Sequence, residues 1–381
     1  FVVTQLAMGI TVLIARYLGE KREDQIGSII GGGTVVFAAI SLVLFVIMVG
    51  FARPIAVLMQ APEEAVGLTV AYIRICGAGI FFIVAYNVLS AIFRGLGDSN
   101  SPLLFVFVAC IVNVVGDLVL VAGLGMDAMG AALATVFAQA LSVVFAIVRL
   151  VKKGLPFTIT GYDFRWNPQC GKFLQIGLPL ALQECLTQGS FLALCAFVNR
   201  LGLEASSGYG VACKIVNFAM LIPGALMQST SSFVSQNVGA GEQKRAKKTM
   251  FTGIGIGLLV GCFAFSLVFF RGDLLAGIFS ADAAVVQRGY EYLKGFAPET
   301  LLTAVLFSMM GYFNGNGKTV WVMLQGLIQT LLVRLPFAYY MSIQPDASLT
   351  NIGLAAPIST AVGIVLNVAF FLYLEHAAKR S

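Results

Sequence analysis

Charge is what this chain has least of. Asp, Glu, Lys and Arg together make up 11% of its 381 residues, while hydrophobic residues make up 59%; soluble domains carry roughly 25% charged residues. A water-soluble globule is therefore excluded. Histidine is scarcer still: the one copy, His376, lies beside Lys379 and Arg380 at the end of the chain, a place where imidazole flanks a membrane helix rather than performs chemistry. No C-x-x-C, no H-E-x-x-H and no G-x-x-x-x-G-K-[ST] occurs, so zinc, dithiol and ATP-driven chemistry lack their usual carriers. The seven cysteines are odd in number and sit mostly inside apolar runs, as small core residues do. No nucleophile is paired with a base. Neither an enzyme nor a cofactor is expected.

What the chain does have is hydrophobic length. Apolar runs cover approximately 1–18, 26–50, 66–92, 101–124, 129–150, 173–198, 204–238, 246–270, 284–313, 318–342 and 353–375. Nearly all are long enough to cross a hydrocarbon layer of about 30 Å at about 1.5 Å per helical residue. The expected class is an all-α polytopic membrane protein. If the runs alternate across the bilayer, one set of ends carries Arg16, Lys21, Arg22, Arg94, Arg149, Lys152, Lys153, Arg165, Lys172, Lys244, Arg245, Lys247, Lys248, Lys318, Lys379 and Arg380. The opposite set carries only Arg53, Arg200, Arg271 and Arg288. This asymmetry marks the basic side as cytoplasmic. The net charge of +6 then reports topology, and no nucleic-acid partner is expected.

Two glycine-rich islands echo each other. "FRGLGDSNSP" begins at Phe93 and "FNGNGKTVWV" at Phe313. The same shift of 220 residues places Gly19 on Gly239, Tyr72 on Tyr292, Arg74 on Lys294, Gly95 on Gly315 and Gly97 on Gly317. A phosphate loop would need a preceding strand and a P-loop Lys, so the islands read as helix-ending turns in which the glycines take φ > 0. The repeat unit holds six helices. An even number makes the halves parallel, so two six-helix bundles related by a pseudo-two-fold axis along the membrane normal are expected, as in transporters.

The repeat also sets expectations for the boundaries: an N-terminal lobe over 1–150, a cytoplasmic linker over 151–172 and a C-terminal lobe over 173–381. Counting back from Lys172 by the repeat length places the start of the first half before Phe1. The first helix, and the start of the second, are therefore expected to be missing from this chain.

Ionisable residues inside the runs are the main functional clue, because an Asp at a helix centre costs about 2.5–3.5 kcal/mol on insertion scales. Asn113 and Asp117 of "NVVGD" are four apart and share a helix face. Thr135 lies at a similar depth on the next run. Carbonyl, hydroxyl and carboxylate oxygens suit Na⁺, while an apolar surround would let the Asp take a proton instead. The plain alternative is a hydrogen-bonded pair that locks two helices together. In the second half Glu184, Glu299 and Arg334 fall near mid-membrane. Glu299 and Arg334 are expected to be neighbours and Glu184 to line a cleft, giving an acidic balance suited to a cationic substrate; helix-packing contacts are again the alternative. Pro179 and Pro223 lie within runs and mark kinks or hinges.

"FRGLGDSNSPLLF", "NVVGD", "GMDAMGAALATVFAQ" and "SQNVGAGEQKRAKK", in this order on a duplicated six-helix unit, resemble the multidrug and toxic compound extrusion (MATE) family, bacterial DinF-like or NorM-like branch. The resemblance implies two lobes around a cleft that opens alternately to either side, and export of amphipathic, often cationic compounds driven by uptake of H⁺ or Na⁺. It implies no other cofactor, a monomer as the working unit, and a multi-pass place in the bacterial plasma membrane with linker and C-terminus cytoplasmic. In the DinF-like branch a cation site combines an Asp on the first helix with an Asn and an Asp on the fifth and a Thr on the sixth; Asn113, Asp117 and Thr135 match the last three. The alternative function is a flippase for lipid-linked precursors on a related architecture, for which a strongly cationic cavity would be expected.

Overall fold

The computed structural model describes residues 2–58, 63–153 and 158–380, and almost all of them are helical. Among these residues nine helices are long and apolar enough to cross a membrane, and two further pairs become spans if each bent pair counts as one. Helix is what a bilayer demands, since every backbone N–H and C=O must be satisfied without water. The side chains of Lys379 and Arg380, and residues 154–157 of the expected linker, lie outside the described residues.

All eleven apolar runs correspond to helical segments. They are α1 (Val2–Gly19), α2 (Ile26–Gly50), the short α3 (Ala52–Leu58), α4 (Val66–Ala78), α5 (Ile80–Gly95), α6 (Asn100–Asp117) and α7 (Asp127–Lys152). There follow α8 (Pro168–Asn199), α9 (Leu203–Gly239), α10 (Gln243–Gly277), α11 (Ala283–Phe296), α12 (Glu299–Gly315), α13 (Thr319–Leu327), α14 (Leu335–Ser342), α15 (Leu349–Gly353) and α16 (Ala355–Arg380).

Two runs that read as single helices are broken. The segment ending in α4 meets α5 at 51°, and α11 meets α12 at 48°. The first break falls at Gly79, where a Cβ would collide with the Val136 side chain. The second falls at Ala297 and Pro298, and proline has no N–H to continue the ladder. Two further spans carry π-helical segments, Leu118–Gly123 after α6 and Ile328–Arg334 between α13 and α14.

Contacts divide the chain into an N-terminal unit, Val3–Gly177, and a C-terminal unit from Leu178 onward. The boundary lies inside α8. In the N-terminal unit α6 packs on α7 through Gly116, whose absent side chain lets the Ala134 methyl approach. The Phe93 and Phe105 rings meet edge to face at 5.2 Å. Most described residues that read as a linker are exposed, Tyr162 and Trp166 among them, but its end packs inward: Gln169, Cys170 and Phe173 are buried. Phe173 stacks on Phe37 at 6.5 Å, and its carbonyl lies on Gly9.

In the C-terminal unit α9 packs against α10, α11 and α12. Small residues again permit close approach, with Gly257 on Ala304 and Gly208 on the Arg288–Gly289 backbone. Tyr209 and Tyr292 pack edge to face at 4.9 Å.

The echoed turns are the same motif. Gly97 has φ +77° and Gly317 +75°. Gly97 N–H donates to the Arg94 carbonyl and Asp98 N–H to that of Phe93; Gly317 and Lys318 repeat this with Asn314 and Phe313. Each is a Schellman ending. Gly95 and Gly315 have another role: they are helical, and a Cβ on either would press on the α1 or α9 backbone respectively.

Candidate functional site

Asp117 is the last residue of α6, directly before the π-helical segment. Such π segments recur at functional sites because the extra residue per turn frees backbone groups and redirects side chains. The carboxylate Oδ1 is buried and accepts no hydrogen bond among the described residues. One turn earlier Asn113 donates through Nδ2 to Thr135 Oγ1 at 3.2 Å, and Thr135 donates to the Ala131 carbonyl at 2.9 Å. The Asn113–Thr135 pair is thus formed, while Asp117 stands beside it without bonding to either residue. The Tyr72 hydroxyl, on α4, is within electrostatic reach of the Asp117 carboxylate. A buried carboxylate oxygen without a donor is satisfied by a proton or by a cation.

The residues present fit a small hard cation in composition. Asp117 offers carboxylate oxygen, Asn113 its free amide oxygen and Thr135 a hydroxyl. No group of three or more His, Cys, Asp or Glu converges here or elsewhere among the described residues.

In the C-terminal unit the bend between α11 and α12 makes a helix start inside the span, and Glu299 is its first residue. The helix dipole favours negative charge there. Glu299 is buried; Oε1 accepts from Thr360 Oγ1 at 2.9 Å, and Oε2 has no partner among the described residues. Gln329 Nε2 donates to Thr360 Oγ1 at 3.0 Å, and Gln325 Nε2 donates to Gln329 Oε1 at 2.6 Å. Arg334, the last residue of the second π-helical segment, is buried with its guanidinium 5.1 Å from the Phe191 ring centre. Glu299 and Arg334 act on each other electrostatically, but form no ion pair within 4.0 Å among the described residues. Glu184 stands apart from this network, half-buried, and accepts from Gln188 at 2.7 Å one turn along α8.

Sequence reasoning missed Gln325, Gln329, Thr360 and Tyr72. The i, i+4 spacing of the glutamines within an apolar run was an available signal; the Thr360 contact, 61 residues from Glu299, was not.

A duplicated, all-helical chain with ionisable groups inside its spans defines a multi-pass membrane transporter. Comparison with known proteins supplies the family. The MatE family model matches residues 1–119 and 179–340, well over half of the chain, and the chain belongs to that family. It is 27% identical over 286 residues to the probable multidrug resistance protein YpnP of Bacillus subtilis, a match covering 75% of this chain and 64% of that protein. It is 26% identical over 333 residues to the multidrug export protein MepA of Staphylococcus aureus, covering 84% of this chain and 72% of that one. A solved outward-facing multidrug resistance MATE family transporter superposes with a TM-score of 0.93 at 21% identity, over all of this chain and 85% of the other. Members of this family are transporters and not enzymes.

Proposed function

We propose that the chain acts as a secondary active exporter of amphipathic, often cationic small molecules, working by alternating access and driven by inward movement of H⁺ or Na⁺. Two multidrug relatives support the export reading. The observation that carries the coupling is the buried, unpartnered Asp117 oxygen beside the Asn113–Thr135 pair. Asp117 holds the proton or, with Asn113 and Thr135 oxygens, the Na⁺. The bound ion biases the transport cycle through its different affinity for the two access states, which is the one way a ligand shifts such an equilibrium. Glu184 and the Glu299–Arg334 network face the substrate and favour cations. The working unit is a monomer in the bacterial plasma membrane, with residues 151–172 and the C-terminus cytoplasmic and no cofactor beyond the coupling ion.

The test is efflux of a fluorescent cation from proteoliposomes under separately imposed pH and Na⁺ gradients. One gradient is expected to drive efflux, and Asp117→Asn to abolish that dependence. Unchanged gradient-driven efflux in Asp117→Asn would remove this residue from the mechanism.

A further inference from the structure

A polar seam runs through the C-terminal unit behind Glu299. Trp321, Gln325 and Gln329 recur at every fourth residue and so share one helix face across α13 and the π-helical segment, and Thr360, Gly363 and Asn367 share a face of α16. The two faces meet. Trp321 Nε1 donates to Asn367 Oδ1 at 2.9 Å, and the Gln325–Gln329 hydrogen bond passes over Gly363, where a Cβ would lie 2.6 Å from the donor and 2.7 Å from the acceptor. Glu299, Thr360, Gln325 and Asn367 are buried, and Gln329 is half-buried. The fold does not require this polarity. A shift of 220 places Phe105 on Gln325 and Ala109 on Gln329, and the first repeat has Gly79 in place of Glu299.

The hydrogen bonds all run one way. Gln325 Nε2 donates to Gln329 Oε1, Gln329 Nε2 to Thr360 Oγ1, and Thr360 Oγ1 to Glu299 Oε1. An amide nitrogen only donates, so the single hydrogen of the Thr360 hydroxyl is turned away from Gln329 and onto the carboxylate. A helical threonine ordinarily donates to the carbonyl four residues back, as Thr34, Thr187, Thr249 and Thr303 do. Thr135 does so even while it accepts from Asn113. The Thr360 bond is therefore directed at the acid and is no local habit of its helix. It holds Oε1 as a fixed acceptor, and Oε2, without a partner among the described residues, is the oxygen left to meet a cation.

We propose that Thr360, and Gln329 acting through it, are positioning residues for substrate recognition by Glu299: the one-way chain fixes Oε1 and so orients Oε2 towards the positively charged group of the substrate. The inference rests on the reading of Glu299 as a substrate-facing acid. Hydrogen bonds in a chain polarise one another, and a carboxylate already held on one oxygen has less freedom left for binding to remove. Gly363 belongs to the same device, since a larger residue there has no room beside the two amides.

Efflux of the fluorescent cation ethidium from proteoliposomes, followed over a range of ethidium concentrations, tests this. Gln329→Leu and Thr360→Val, which each remove a link of the chain, and Gly363→Ala, which presses on it, are expected to raise KM about tenfold, the scale of a hydrogen bond to a charged group, with the maximal rate per protein near that of wild type. Thr360→Ser, which keeps the hydroxyl, is expected to restore the wild-type KM and guards against misreading a packing defect. In Glu299→Gln, which raises KM by itself, adding Gln329→Leu should change nothing further, because the chain acts only through the acid. An unchanged KM in Gln329→Leu and Thr360→Val while Glu299→Gln raises it, a loss of maximal rate at unaltered KM, or additive effects of Glu299→Gln and Gln329→Leu would each overturn the inference. An unchanged KM in Glu299→Gln would overturn instead the reading of that acid on which the inference rests.

Discussion

The two repeats share a chain path and differ in where they place charge. Both bend at the corresponding position, by 51° and 48°. Gly79 is the bend residue in the first repeat, and its counterpart 220 residues on is Glu299. In the span that follows, the exchange runs the other way: Asp117, at the end of α6, has Phe337 as its counterpart. Asp117 and Glu299 thus each have one buried carboxylate oxygen without a donor among the described residues. Their surroundings differ. Asp117 neighbours one amide, one hydroxyl and a tyrosine, whereas Glu299 has a guanidinium within electrostatic reach and a chain of glutamines behind its hydroxyl partner. An acid compensated by a fixed positive charge has less need to exchange a proton or cation than one without such compensation. The difference is what supports the proposed division, with coupling in the first repeat and substrate recognition in the second.

The comparison is open to attack by exchange of residues. The largest effect is expected from Asp117→Asn, which should cut ion-coupled efflux by about 5- to 150-fold, the range of a coupling free energy of 1–3 kcal/mol. Glu299→Gln should instead weaken substrate affinity while leaving the response to the ion gradient in place; efflux kinetics under both gradients separate the two, and matching defects would end the division of labour.

Next in size is the packing of Phe173 against α1. Gly9→Ser, which installs the second repeat's residue, drives a side chain into the Phe173 carbonyl. A loss of about 1–3 kcal/mol is expected from such overpacking, read by denaturant unfolding in detergent. The reverse change, Ser229→Gly on α9, should cost no more than about 1 kcal/mol, the helical penalty of glycine.

The two Schellman turns should respond alike. Gly97→Ala and Gly317→Ala each force a Cβ into the left-handed region and should cost about 1 kcal/mol. Unequal losses in a thermal-unfolding assay would show that the repeat symmetry is only apparent there.

The smallest effect distinguishes the residues that follow. Partial burial pushes the Asp98 carboxyl up, but hydrogen bonds from Lys153 and from the Ser101 hydroxyl and N–H, with the Lys153 charge, outweigh it and hold the pKa down at about 2. A depressed carboxylate stabilises above its ordinary pKa and loses that contribution as the pH falls through its folded one. The stability gap between wild type and Asp98→Asn should therefore be constant above about pH 4 and close towards pH 2. The counterpart, Lys318, has no carboxyl to titrate there, so Lys318→Gln should show no such closure.

Much of this was legible in the sequence, and for physical reasons. A bilayer imposes length, apolarity and backbone satisfaction on each span separately, so the spans and their ends could be counted without knowing their neighbours. The Gly97 and Gly317 turns were legible because a left-handed helix ending needs glycine wherever it occurs. Asp117, Asn113, Thr135, Glu184, Glu299 and Arg334 could be singled out because polarity inside a span is costly in any fold.

What each polar group meets is a different matter. Nothing near Asp117 in the sequence says that its carboxylate oxygen goes without a donor while Asn113 and Thr135 bond to each other, or that Thr360 reaches Glu299 from 61 residues away. Nor could composition show that a polar, charged connection rich in Gly and Pro would fill the α1–α2 groove, since its partners Ser28, Gln25 and Tyr17 lie some 135–152 residues earlier. The sequence by itself determined which runs are long and apolar enough to cross a membrane, and that their pattern is repeated. Only the tertiary structure decided which polar groups meet, because a contact such as that of Thr360 with Glu299 joins segments that no local pattern records.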